Sequence, residues 1–282
     1  MPLVAKNLNS FTIKNNQVVL DPAYLQQSKN YFKKITGTRF ASVLGYNKYN
    51  SPFKTWMGMV NLYKDVMDPT LAKVGNTIEP MVRDYVEKKL GINFKVYNPM
   101  AIGWDVFKEN QIFGGIPDGE PINANGIVDY TNDKPMLEVK TSSIDSFVYK
   151  KTNNELKMQF DFNGYPQIKE PNGKRNSWFN NNDIVIPMEY RMQLGLYLYL
   201  RNINHGVFAI AFLTPRDYKN PEGFNADNHE LRIVDFTVKL EIVSQFVKQA
   251  TDWYNKYIVT GISPEMTPED QMWLDQEKSF AR

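Results

Sequence analysis

The hydrophobic period of the chain changes along its length, from helical spacing to strict alternation and back, and this order restricts the fold more than any other feature. From Ile78 the apolar residues Met81, Val82, Tyr85, Val86 and Leu90 recur at helical spacing, with Pro80 in the first turn and Gly91 just past the end. The middle then switches to period two, and residues 112–116, 126–130 and 136–141 read as a meander of short antiparallel strands. Helix returns over 189–200, an apolar strand over 207–213, an alternating strand over 231–238 and a long amphipathic helix over 240–258. Helix, strands, helix, strand, strand, helix implies an α/β or α+β domain with a central mixed β-sheet flanked by helices.

No Pro/Gly/Ser linker and no internal repeat divides the 282 residues, so a single domain over 1–282 is expected. Ahead of the helix at Ile78, a helix over 22–34 opens at Asp21-Pro22, one over 37–44 is closed by Gly45, and a third starts at Ser51-Pro52. Residues 148–187 are rich in Asn, Lys and Gly without a clean period, and read as a polar insertion beside a functional surface. Within it Lys150, Lys151, Lys157, Lys169, Lys174 and Arg175 interleave with Trp178 and Phe179, a mixture suited to following a nucleic-acid backbone and stacking on unpaired bases, and equally to a solvated loop or a subunit contact.

Charge is uneven. Lys and Arg exceed Asp and Glu by 33 to 31, a net of +2, which excludes a polycationic coat on nucleic acid. Residues 1–64, however, carry nine basic side chains against the single acid Asp21, so a basic N-terminal helical region is expected. The chain has no Cys and only two His, His205 and His229, which removes disulfides, thiolate zinc sites and cysteine nucleophiles. Any metal must be hard and oxygen-bound. No long apolar run or secretory leader is visible, and a cytoplasmic protein without a membrane segment is expected.

Chemistry concentrates in Leu137-Glu138-Val139-Lys140, where alternation sends Leu137 and Val139 to one face and Glu138 and Lys140 to the other. Asp118 precedes them in a Pro-Asp-Gly turn, from which adjacent strands could bring it beside Glu138. Two carboxylates and a lysine suit phosphodiester hydrolysis: carboxylate oxygens bind Mg²⁺, the metal activates water, and the lysine orients that water or neutralises developing charge. The same residues are also what an ordinary hairpin turn and a solvated strand face display. Glu79, at the edge of the buried face of its helix, could add a third ligand, although an acid near a helix N-terminus is also favoured by the dipole alone.

These residues stand in a longer pattern. Ile35-Thr36-Gly37-Thr38-Arg39-Phe40-Ala41-Ser42-Val43-Leu44-Gly45 is followed by Ser51-Pro52-Phe53 with Trp56, and then by Gly75-Asn76-Thr77-Ile78-Glu79. Gly115-Ile116-Pro117-Asp118-Gly119, Leu137-Glu138-Val139-Lys140-Thr141, and Gln193 with Tyr197 complete the series. In this order the chain resembles the PD-(D/E)XK nucleases of restriction-endonuclease-like fold, and within them the YqaJ-type viral recombinases related to lambda exonuclease. The resemblance implies Glu79, Asp118 and Glu138 as metal ligands with the Val139 carbonyl, Lys140 as the water-orienting group, and Gln193 and Tyr197 as an active-site pair. It implies a DNA-end contact at Thr36, Thr38 and Arg39, with Lys33 and Lys34 near the place where that enzyme carries an arginine.

The expected function is therefore a Mg²⁺-dependent DNA exonuclease of a phage-type recombination system, with Mn²⁺ as a possible substitute, acting 5′ to 3′ on linear duplex ends. By the same resemblance a single-strand annealing protein is a possible partner and a ring-shaped homotrimer a possible assembly. The alternatives are a restriction-type endonuclease and a non-catalytic DNA-binding protein.

Overall fold

The computed structural model describes residues 9–64, 68–152 and 155–281. Two β-strands, β1 (Phe11–Lys14) and β2 (Gln17–Leu20), form an antiparallel hairpin where the sequence suggested only a basic helical region. The hairpin closes through Asn15 and Asn16, both at positive φ, a conformation that Asn tolerates better than most residues. Helix α1 (Pro22–Ser28) begins where the Asp21 side chain accepts from the N–H groups of Ala23 and Tyr24. Helices α2 (Gly37–Val43) and α3 (Pro52–Met59) follow as expected, the first passing into Gly45 at φ +78° and the second capped by Ser51.

Helix α4 (Pro69–Leu90) starts nine residues before the expected Ile78, capped by Asp68, and carries Pro80 in its interior rather than in its first turn. Pro80 has no N–H to donate, which leaves the Asn76 carbonyl without its helical partner. Glu79 consequently lies mid-helix, where the N-terminal dipole argument does not apply.

The sheet is built from β3 (Met136–Ser143), β4 (His205–Leu213) and β5 (Glu230–Thr237), in the order β5-β4-β3. Strand β4 is parallel to β3, with Phe208 opposite Glu138, and antiparallel to β5. The meander of 112–116, 126–130 and 136–141 is thus corrected: only the last of the three is a sheet strand. Residues around Phe113 bridge instead to Ile35, and Val128 bridges to Ile122. Gly114, Gly115 at φ +130° and Pro117 interrupt any ladder there. Gly119 does pair with Leu137 in an antiparallel bridge, and this pins the Asp118 turn to the edge of β3.

Both faces of the sheet are covered. Val74, Ile78, Val82 and Val86, at intervals of about one helical turn along α4, pack on Leu137, Val139, Val207 and Ala209. On the opposite face Leu194, Tyr197 and Leu198 of α5 (Met188–Arg201) pack on Met136, Phe208, Ile210 and Phe212. Each such fully buried side chain contributes about 1.5 to 3 kcal/mol. Helix α6 (Leu240–Trp253) runs into a wider π-type turn over Tyr254–Ile258. A C-terminal helix that the sequence did not announce, α7 (Pro268–Ala281), sets Trp273 edge-on against Phe53 and Tyr63.

The polar insertion 148–187 has more structure than its composition suggests. It contains a hairpin of Tyr149–Thr152 with Glu155–Met158, a strand Ile168–Glu170 that pairs with Ser146–Phe147 just ahead of the insertion, and a short hairpin of Phe179–Asn180 with Asp183–Ile184. Trp178 is buried in the core and donates its indole N–H to Ser142, so it offers no face to a nucleic acid. Arg175 is engaged in a two-pronged pair with Glu230. The Lys151 side chain, and Asn153 and Asn154, lie outside the described residues.

One buried charge ties three segments together. Glu120, fully buried just after the Asp118 turn, accepts Nε and Nη2 of Arg201 at 2.6 and 2.8 Å and the phenols of Tyr97 and Tyr130 at 2.5 and 2.6 Å. Burial alone would raise its carboxyl, but Arg201, Tyr130 and Tyr97 together hold it below its ordinary value. Its contribution to stability is present above the ordinary value of 4.5 and is lost as pH falls through the lower folded value. Arg201→Ala, which leaves that carboxylate without its cation, is expected to cost about 3 to 5 kcal/mol in denaturant unfolding at neutral pH. A loss under 1 kcal/mol would mean that the two phenols suffice.

Candidate active site

The site forms where the edge of β3 meets α4, the Asp118 turn and α5. Alternation along β3 buries Leu137 and Val139 against α4 and turns Glu138 toward α5, as the sequence pattern requires. Both sheet faces are packed, so Glu138 is completely buried, which is unusual for a carboxylate. Its Oε1 accepts from Lys140 Nζ at 2.5 Å and from Gln193 Nε2 at 2.5 Å. Its Oε2 is buried with no hydrogen-bond partner.

Asp118 is placed by the Gly119–Leu137 bridge, and its Oδ2 accepts the Val139 N–H at 2.8 Å. Glu79 reaches the same region from α4 and pairs with Arg83 at 3.2 Å, while the Arg83 guanidinium also donates to the Asp118 carbonyl at 3.2 Å. Lys140 bonds Gln193 Oε1 at 3.3 Å and lies 4.8 Å from the ring centre of Tyr190. Tyr190, Gln193 and Tyr197 fall at spacings of three and four on α5, so one helical face presents all three to the centre.

Electrostatics bind the acids into one group. Burial, with the Asp118 charge next, pushes Glu138 up to about 8. Burial also raises Asp118, against the opposing pull of Lys140, the Val139 N–H and Arg83. Glu79 is raised by burial and then by Asp118. Burial would lower the Lys140 ammonium, but Glu138 and Asp118 outweigh it and hold Lys140 firmly charged. Three carboxyls raised first by burial and gathered around one charged lysine depart from what a solvated strand face shows.

Each carboxylate is nonetheless tied to a protein partner, and among the described residues no three acidic or histidine side chains are grouped so as to hold a metal ion. What fits a hard cation is the Glu138 carboxyl, whose Oε2 is buried without a partner beside Asp118; burial pushes it up to about 8, and a cation there would favour its ionised form. Two glycines let the backbone close on α5. A Cβ at Gly37 would stand 2.6 Å from the Gln193 side chain, and one at Gly115 would stand 2.5 Å from the Tyr197 hydroxyl. That hydroxyl accepts the Gly37 N–H at 3.3 Å.

The residues expected to contact DNA divide into three. Thr36 lines a cavity of about 320 Å³ together with Glu79, Asp118 and Tyr197. Lys33, Thr38 and Arg39 line a separate groove of about 960 Å³. The Lys34 ammonium is paired with Asp105 at 2.7 Å, so its charge is largely neutralised within the protein. Sequence reasoning missed Arg83, although its spacing of four from Glu79 signals an ion pair on one helix face. It also missed Glu120 and Arg201, whose pairing across eighty-one positions leaves no local signal.

A family model described as the YqaJ-like viral recombinase domain matches residues 24–203. The protein MG373 of Mycoplasma genitalium is 51% identical over 277 residues, covering 98% of this chain and 99% of that protein. Its homolog in Mycoplasma pneumoniae is 50% identical over 265 residues, covering 94% of each. Among solved structures, the alkaline exonuclease LHK-Exo from Laribacter hongkongensis superposes with a TM-score of 0.45 at 10% identity, over 92% of this chain and 98% of that one. A phage related exonuclease from Haemophilus somnus 129PT gives a TM-score of 0.48 at 12% identity, over 83% of this chain and 96% of that one. No helix among the described residues is long and apolar enough to cross a membrane. The family match takes in Thr36, Glu79, Asp118, Glu138, Lys140, Gln193 and Tyr197, and this chain belongs to the YqaJ-like viral recombinase domain family.

Proposed function

We propose that this protein is a divalent-metal-dependent DNA exonuclease that works from 5′ ends of linear duplex. The observation that carries this reading is the fully buried Glu138, with one oxygen held by Lys140 and Gln193 and the other without a partner, beside Asp118. A carboxyl buried to this degree ionises only with cationic help, which Lys140 gives at one oxygen and a metal ion would give at the other. Asp118 and Glu138, with Glu79 and the Val139 carbonyl, are the residues that would hold Mg²⁺ or Mn²⁺. Bound there, such an ion would polarise a phosphate and lower the pKa of water. This reading rests on the family and the site.

The roles of the chain's own residues follow from their contacts. Lys140, kept charged by Glu138 and Asp118, orients an attacking water or meets charge developing on the phosphate. Gln193 holds both the Glu138 carboxylate and the Lys140 ammonium, which fixes their mutual geometry. Arg83 spans Glu79 and the Asp118 backbone and limits the repulsion between these acids. Thr36 faces the same cavity as Asp118, whereas Lys33, Thr38 and Arg39 supply hydroxyl and cationic contacts to phosphates at the entrance.

Glu138→Gln and Lys140→Ala are each expected to lower the cleavage rate by about a hundredfold or more while leaving DNA affinity within a few-fold, since affinity rests on many phosphate contacts. End-labelled duplex in a gel assay, with binding measured in EDTA, checks both. Cleavage at wild-type rates in the two variants would remove the centre from the chemistry.

Substrate topology tests the mode of action. Linear duplex with a 5′-phosphate should be degraded faster than linear duplex with a 5′-hydroxyl, and closed circular plasmid should remain intact, because a terminal phosphate adds charge that Lys33 and Arg39 can meet. The preference should shrink as salt rises. Discrete fragments from the circle would instead identify a restriction-type endonuclease, and no cleavage of any substrate with Mg²⁺ or Mn²⁺ a non-catalytic DNA-binding protein.

A further inference from the structure

The groove of about 960 Å³ is distinct from the cavity that Asp118 lines. Its walls come from parts of the chain distant in sequence: α2 and α3, the start of α4, the Glu155–Met158 strand of the insertion, and Trp273 on α7. Trp273 and Leu274 lie well beyond the matched family segment, which ends at residue 203.

The lining is mainly basic. Among the described residues Lys33, Arg39, Lys54 and Lys157 face the acid Asp68, which accepts the Thr70 N–H at 2.8 Å as the cap of α4. Aromatic surface alternates with these cations: Tyr49, Tyr63, Phe160 and Trp273 all border the opening, and Tyr49 is 77% exposed. Lys54 Nζ stands 5.3 Å from the Trp273 ring centre, which sets a cation and an aromatic face at the same point of the wall. At the inner end Lys33 is pulled below its ordinary value by burial and by the Arg39 and Lys64 charges, a crowding of like charge that an anion relieves. Arg39 in turn feels the Tyr197 phenol, so this end adjoins the α5 face that carries the candidate centre.

We propose that this groove holds a run of unpaired DNA, with its phosphates on Arg39, Lys54 and Lys157 and its bases against Tyr49 and Trp273. The inference rests on the nuclease reading and assigns to it a path for one separated strand. Cations alone would serve a duplex equally well. Aromatic faces are useful only to bases that have left their partners, and each such stack is worth about 1 to 3 kcal/mol. The C-terminal helix and the insertion hairpin thereby acquire a shared task, since each forms one wall of the same groove.

Binding is measured in EDTA, where no metal-dependent cleavage occurs, using deoxythymidine decamer, uridine decamer and blunt duplex of equal length. Wild-type protein should bind the deoxythymidine decamer more tightly than the blunt duplex, with quenching of indole fluorescence that Trp273→Phe removes. Lys54→Glu/Lys157→Glu should weaken decamer binding at least tenfold and flatten the salt dependence of log affinity by about 1.4, two contacts at about 0.7 each for a single strand. The control Lys239→Glu/Lys248→Glu makes the same change of charge elsewhere and should bind as wild type does. Equal loss in both double variants, equal or tighter binding of blunt duplex by wild type, or quenching that persists in Trp273→Phe would overturn the proposal. Tighter binding of the uridine decamer would overturn the assignment to DNA. The two readings fail separately: a wild-type protein that binds the decamer through the groove but cleaves nothing loses the nuclease reading. A protein that cleaves while the groove variants bind normally loses the groove.

Discussion

The burial of one carboxylate organises this molecule. Glu138 sits on a strand whose two faces are both covered, so its charge has no access to bulk water and must be met by groups that the fold delivers. Lys140 arrives from the same strand and Gln193 from the helix packed above, while Asp118 is brought in by a turn bridged to the strand edge. Isolated, a charge at such a depth would be suppressed by protonation. The Lys140 ammonium opposes that tendency at one oxygen, and the remaining oxygen has no hydrogen-bond partner.

A second buried acid serves a different end. Glu120 follows Asp118 by two residues, yet all its acceptor capacity goes to Arg201, Tyr97 and Tyr130. Arg201 closes the helix that carries Gln193 and Tyr197, and its guanidinium lies 4.6 Å from the Phe107 ring centre, with Phe107 in turn stacked on Tyr197. The two acids divide the labour. One is saturated and fixes the helix against the turn, and the other is left unsaturated where the two meet.

The strand Met136–Ser143 and the helices at 37 and 188 were legible in the sequence because their apolar residues repeat at the spacing that each element buries. Side-chain parity on that strand was enough to separate Glu138 and Lys140 from Leu137 and Val139. What escaped is what depends on distant partners. Ile35 takes the segment at Phe113 out of the expected meander, and Asp68 moves the start of α4 upstream of Pro80, a residue that usually reads as a helix beginning. Trp178 looked like a base platform because composition does not report burial, and the core of α5 and β4 that encloses it is assembled from elsewhere in the chain.

The parallel pairing of β3 with β4 also governs when the centre comes into existence. Met136 faces Gly206 across that ladder, and the intervening chain contains the whole insertion and the α5 helix. A contact of such sequence separation forms only after a large loop has closed, which makes it a late event in folding and places it after the local helices of the N-terminal half. During synthesis the Asp118 turn and the Glu138 strand emerge well before Gln193 and the β4 strand that enclose them. The nascent chain therefore carries its acidic residues hydrated and unorganised until the second half is made, and the site matures as a consequence of topology alone.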